Sequence, residues 1–193
     1  MSDSVLFLLL KQAVEEFQID EGIYNYSFHN DALENIKNLE AKRESLFGVH
    51  ETKDLFNLLE GRHNVSIKTI YEAGYMLKQT YYAYKNGTIA ITRNVALALG
   101  IAYHLEDKDF EKFMAFFGFV FPETYTDAIV SAFIKSDIYR KYAYDNPNGI
   151  RGGCPVQELN EEIYKLQETF RNKRYIKIET IGTREKETYE PSN

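Results

Sequence analysis

Apolar residues recur at three- and four-residue intervals through most stretches of this chain, between clusters of glycine, proline and asparagine, and that period predicts helices. The first covers residues 3–18, with Val5, Leu6, Leu9, Val14 and Phe17 inward and Asp3 or Ser4 as its cap. Residues 22–27, GIYNYS, break the period and read as a loop or short strand. A second helix starts at Asn30 or Asp31 and runs to about Phe47 on Leu33, Ile36, Leu39 and Leu46; its charged face, Glu34, Lys37, Glu40, Arg43 and Glu44, is a solvated surface. Residues 52–59 form a third on Leu55, Phe56, Leu58 and Leu59. A helix apolar nearly all round, from Ile91 or Thr92 to Leu105, is buried by its composition. Phe110, Phe113, Met114 and Phe117 mark the next helix as core. Pro122 breaks the chain, and Thr124 or Thr126 then caps a helix carrying Ile129, Phe133 and Ile134. Glycine, proline and asparagine crowd residues 146–155 and erase the period, which predicts a boundary. Pro155 opens a last helix to about Lys173 on Val156, Leu159, Ile163, Leu166 and Phe170. Residues 175–181, YIKIETI, alternate and predict a single strand or extended arm, and the last dozen residues should be frayed.

One stretch, residues 65–87, has a different pattern. Ile67, Ile70 and Tyr71 share a face of a short helix, Gly74, Tyr75 and Met76 form a turn, and a second helix from about Leu77 to Lys85 turns Tyr81 and Tyr84 inward before Asn86 and Gly87 end it. Two short helices across a tight turn read as a helix-turn-helix, whose second helix enters a major groove. Its outward residues are Lys78, Gln79, Thr80, Tyr82 and Lys85, all able to meet phosphate or base edges, with no arginine for bidentate guanine contact.

The ordered pieces KTIY (68–71), NG (86–87), ALALG (96–100), Gly118-Phe119 and DAIVSAFIKSDIY (127–139) resemble the lambda-repressor-like, Xre-type helix-turn-helix family, in a phage and Firmicute subgroup with a C-terminal helical extension. The resemblance covers about two fifths of the chain. It implies an all-α bundle with a helix-turn-helix core (49–145) and a C-terminal extension, here a glycine-rich linker, C-terminal helix and short arm for oligomerisation (146–193); the N-terminal helices (1–48) are an addition that such a core does not need. It also implies double-stranded DNA as partner and phosphate contact by Arg93 and Asn94, with Lys68 beside them in the basic region; a homodimer is expected because a lone short helix reads too few base pairs. The subgroup's turn glycine falls at Tyr75, with Gly74 one place early, and Leu77 stands where a polar cap is usual. That predicts a shifted turn.

Charge distribution changes the picture more than composition does. The chain carries −6, yet residues 61–105 hold five basic and one acidic side chain against five and twelve in residues 1–60. This basic island supports backbone attraction, and the acidic flanks limit it. The flanks also support a second reading: a phage-encoded inhibitor, of which anti-CRISPR proteins with such cores are a precedent, occupying a host nucleic-acid-binding protein such as Cas9 through an acidic, tyrosine-rich face. The 15 tyrosines and 13 phenylalanines exceed core needs and suggest such an interface.

No catalytic constellation stands out, and no cofactor is expected. His29, His50, His63 and His104 lack metal-site spacing and read as surface or loop residues. The run RGGCP (151–155) resembles an anion cradle but lacks a phosphate loop's lysine, so it reads as linker. One cysteine, Cys154, and an apolar run of only six residues (5–10) point to a reducing, cytoplasmic setting without a membrane span.

Overall fold

A computed structural model of the chain describes residues 4–24, 47–63, 65–145 and 153–183; of residues 18–24 it describes the backbone only. The helix expected over 30–47 and the frayed end lie almost wholly outside these residues. The described part is all-helical, with no strand. In order it forms α1 (Val5–Tyr24), α2 (Thr52–Arg62), α3 (Ile67–Ala73), α4 (Lys78–Lys85), α5 (Arg93–Ala102), α6 (Asp107–Phe116), α7 (Tyr125–Ile134), α8 (Asp137–Arg140) and α9 (Pro155–Phe170).

The centre is α5, every residue of which from Val95 to Ala102 is buried. It meets α3, α6, α7 and α9, so its all-round apolar sequence is the consequence of being surrounded. Gly100 sits where Phe110 crosses it. A methyl group added there would lie 2.6 Å from Phe110 Cε2, inside contact distance of a ring that is itself fully buried. Gly100→Ala should therefore destabilise the fold by about 1–2 kcal/mol, because overpacking outweighs the helix-propensity gain of roughly 1 kcal/mol. Urea unfolding would show it, with partial rescue by Phe110→Leu; a raised midpoint in the single variant would contradict the packing.

Four helices end in the same manner, with a left-handed residue after the cap and two reversed backbone bonds. Gly87 and Gly118 do this at φ +69° and +81°, but after α3 and α5 the position is filled by Tyr75 (φ +52°) and His104 (φ +51°). Of the two caps expected, Thr124 is the one used, and it forms a capping box: its hydroxyl accepts from Asp127 N while the Asp127 carboxylate accepts from Thr124 N. The run 127–139 is not one helix: it breaks at Ser136, whose hydroxyl donates to Phe133 O and accepts from Tyr139 N to cap α8.

Both ends of the chain join this core. Leu6, Phe7, Leu10 and Val14 of α1 are buried where it packs on α7 and α9, whereas Val5 and Leu9, expected inward, are exposed. The stripe on α9 is buried as the spacing predicts. Residues 176–181 form the extended arm, with Ile176, Ile178 and Ile181 buried. Among the described residues the arm has no strand partner: Asn160 pairs with Ile181 N and O at 2.9 Å each, Gln167 donates to Ile178 O, and Thr126 accepts from Glu179 N. Side-chain amides thus supply what a neighbouring strand would. The apolar faces assigned to oligomerisation are covered within the chain, so a contact between copies would use other residues.

Candidate nucleic-acid interface

Ser66 caps α3 by accepting from Thr69 N at 3.2 Å. The helix ends at Gly74 with φ −77°, an ordinary conformation; its lack of a side chain serves packing, since a Cβ would stand 3.2 Å from Ala102 Cβ. Tyr75 takes the left-handed position, with Tyr75 N bonded to Glu72 O at 3.0 Å and Met76 N to Tyr71 O at 2.9 Å. The turn is not shifted to Gly74: Tyr75 itself adopts the left-handed conformation that favours glycine, at the steric strain a side chain incurs there. Leu77 precedes α4 and makes no capping hydrogen bond, so no cap from its side chain covers the first-turn N–H groups.

The inner side of α4 is a polar knot rather than a plain apolar seam. Lys85 Nζ donates to both oxygens of Glu60, at 2.8 and 2.6 Å. Tyr81 Oη donates to Glu60 Oε1 at 2.7 Å and lies 2.7 Å from Tyr103 Oη. Because the single Tyr81 proton goes to the carboxylate, Tyr103 is the donor in the second bond. Burial pushes both phenols well above their ordinary value, so both keep their protons. The knot ties α2, α4 and α5 together, and only a tenth of the Lys85 side chain is accessible.

Lys85, read from the sequence as an outward contact, is therefore turned in. Helical spacing explains this: it lies four residues after Tyr81 and next to Tyr84, on the same buried side. Arg93 is similarly engaged. Its guanidinium reaches Asp127 Oδ2 at 2.7 Å, the Glu123 carboxylate and Val120 O, over the Phe119 ring. Asn94 donates to Glu179 Oε2 at 2.8 Å and its carbonyl accepts from Gly182 N, holding the arm. Both α5 residues assigned to phosphate are thus engaged by the protein itself. Lys68 is exposed, 3.7 Å from Glu72. Lys78 and Gln79 are exposed at the start of α4, and Thr80 and Tyr82 are half-buried behind them.

The basic island is consequently weaker in space than along the chain. Arg62 pairs with Asp109, Lys85 with Glu60 and Arg93 with Asp127 and Glu123, all carboxylates outside residues 61–105. Among its five cations Lys78 makes no ion pair to a described residue. Buried Asp127 is itself pushed up by desolvation, an effect that Arg93 and the N–H groups of Glu123 and Thr124 oppose.

The aromatic excess also has an internal use. Tyr81, Tyr103 and Tyr139 are fully buried; Tyr139 donates to Leu105 O at 3.1 Å, and Tyr144 donates to Ala102 O. His63 and His104 are half-buried rather than free surface residues: a ring nitrogen of His63 meets Tyr103 O at 2.7 Å, and His104 stacks on Tyr139 with centroids 4.2 Å apart. Burial lowers His63 below the ordinary histidine value, favouring its neutral form. These groups satisfy the carbonyls that end α5, which the sequence could not assign to partners. Glu60 and Asp127 went unnoticed for the same reason, since each looks like a surface acid until its cation is brought to it.

Among the described residues no helix is long and apolar enough to cross a membrane, and no group of three or more His, Cys, Asp or Glu side chains could hold a metal ion. Comparison of the chain with protein-family models, curated proteins and solved structures finds no match.

Proposed function

We propose that this chain is a DNA-binding transcriptional regulator of the helix-turn-helix type, acting as a homodimer, with α3 bracing α4 and α4 entering the major groove. The observation that carries this reading is the disposition of α4. Tyr81, Tyr84 and Lys85 anchor one side to α2 and α5, while Lys78 and Gln79 stand exposed at the end without a side-chain cap. In that motif the first residues of the second helix meet base edges, and its N–H groups face phosphate. The interface is small: Lys78, Gln79, Thr80 and Tyr82, with Lys68 beside them and without Lys85, Arg93 or Asn94. One eight-residue helix reads few base pairs, which is why a dimer on half-sites about 34 Å apart is part of the reading.

Selection from randomised duplex DNA at about 50 mM salt is the test. The expected result is an enriched sequence, with Gln79→Ala relaxing one position by about 1–3 kcal/mol and Lys78→Ala weakening all sequences alike. No retention at micromolar protein would remove the reading.

A second reading, an inhibitor or interaction protein that occupies a host nucleic-acid-binding protein such as Cas9, is favoured by a specific feature of the same face. Leu77 and Ile89, on either side of α4, are 56% and 48% exposed, and the cations that would hold phosphate are internally paired. Apolar side chains beside a sparsely charged helix suit a protein surface better than a phosphate backbone. Capture of purified Cas9 with no DNA affinity would select it.

A further inference from the structure

The turn that ends α9 carries the densest unshielded positive charge among the described residues. Residues 171–177, RNKRYIK, contain four cations and no acid, a fact hidden by the even count of eight basic and eight acidic side chains over 151–193. Arg171, Lys173, Arg174 and Lys177 are all exposed and line one cleft of about 400 Å³. Arg171 has only a loose, exposed contact with Glu168 at 3.7 Å, and Lys173 lies over the Phe170 ring. Arg174 and Lys177 have no ion pair to a described residue. Glu179 also lines the cleft and accepts from Asn94, a neutral donor that leaves its charge in place, so the four cations outweigh it to a net +3.

The backbone presenting these cations is fixed. Lys173 N bonds to Phe170 O and Ile176 N to Lys173 O, closing two successive turns. Beyond them Ile176 and Ile178 are buried and Gln167 holds Ile178 O. A polyanion meeting this surface would order few rotatable backbone bonds, which favours binding.

We infer that this cleft binds the phosphodiester backbone of nucleic acid, as a contact separate from α4. Its shape argues against a membrane: the apolar residues Phe170, Ile176 and Ile178 lie buried, and the single exposed ring of Tyr175 is not the apolar helix face that inserts between lipids. Its charge spacing fits a repeating anion, with cations at 171, 173, 174 and 177 along two turns and Tyr175, 57% exposed, among them. The inference goes beyond groove reading and does not need it. The contact is independent of base sequence.

The test uses the full chain and a fluorescein-labelled duplex of random sequence, with anisotropy read across a salt series. Lys173→Gln/Arg174→Gln/Lys177→Gln changes exposed side chains only, and circular dichroism checks that it folds as the parent. This variant is expected to bind about tenfold more weakly at low salt, and to flatten the slope of log affinity against log salt by about 2 to 3. Lys78→Gln/Gln79→Ala, assayed in parallel, keeps most of the slope. If the α9-turn variant matches the parent in affinity and slope, the inference is overturned, whatever α4 does. If it loses binding while the α4 variant does not, the inference stands and the groove reading fails. Binding of the parent to phosphatidylserine vesicles but not to duplex would overturn it in favour of a lipid surface.

Discussion

Glu60→Leu with Lys85 retained is expected to lower stability by about 3 kcal/mol, roughly 6–12 °C in melting temperature for a chain of this size. The cause is the ammonium left behind. Lys85 has both its short contacts on Glu60, and a tenth of its side chain reaches water, so it cannot recover solvation without pulling α4 off α2. Tyr81 loses its acceptor in the same change. Removing both charges, as Glu60→Leu/Lys85→Met, should restore most of the loss, because a matched apolar pair leaves no buried charge. Thermal unfolding of the two single variants and the double variant closes the cycle. A double variant whose loss equals the sum of the two single losses would mean that the pair is not coupled. Lys85→Met is also informative about function: once folded, it should leave any DNA affinity nearly unchanged, since its ammonium faces Glu60.

Arg93→Met is expected to be as severe, about 3–5 kcal/mol at neutral pH. Asp127 has a fully buried side chain, and its Oδ1 finds no hydrogen-bond partner among the described residues. Oδ2 takes the guanidinium together with the N–H groups of Glu123 and Thr124. Without Arg93, desolvation acts on the carboxyl with only those N–H groups opposing it, raising its folded pKa further above the unfolded value. A carboxyl with a raised folded pKa favours the folded state once protonated. The deficit of the variant relative to the parent should therefore shrink as pH falls from about 7 toward 4. Chemical denaturation of both proteins across that range measures it. A deficit constant with pH would show that Arg93 acts through its packing on Phe119 and its bond to Val120 O, neither of which depends on the Asp127 charge.

These two pairs show where sequence reading succeeded and where it ran out. The spacing of Val156, Leu159, Ile163, Leu166 and Phe170 determined a buried face of α9, because helical periodicity is local and survives any tertiary context. On α1 the same method chose Val5 and Leu9, which are exposed, over Phe7 and Leu10, because apolar residues on nearly every side leave the period without a phase. At Tyr75 the sequence suggested a displaced turn; the backbone places the tyrosine itself in the left-handed region, with the reversed bonds Tyr75 N to Glu72 O and Met76 N to Tyr71 O closing the helix end.

By itself the sequence determined that the described chain is helical, that residues 93–102 lie at its centre, and that a short-helix, turn, short-helix unit precedes them. Those properties follow from the order of residues along one strand of chain. What only the tertiary structure decided is which charges remain free. Lys85 and Arg93 are neutralised by Glu60 and Asp127 from 25 and 34 positions away, while the cations of 171–177 are brought into one exposed cleft. A charge acts through distance in space and through access to water, and neither is a property of position in the sequence.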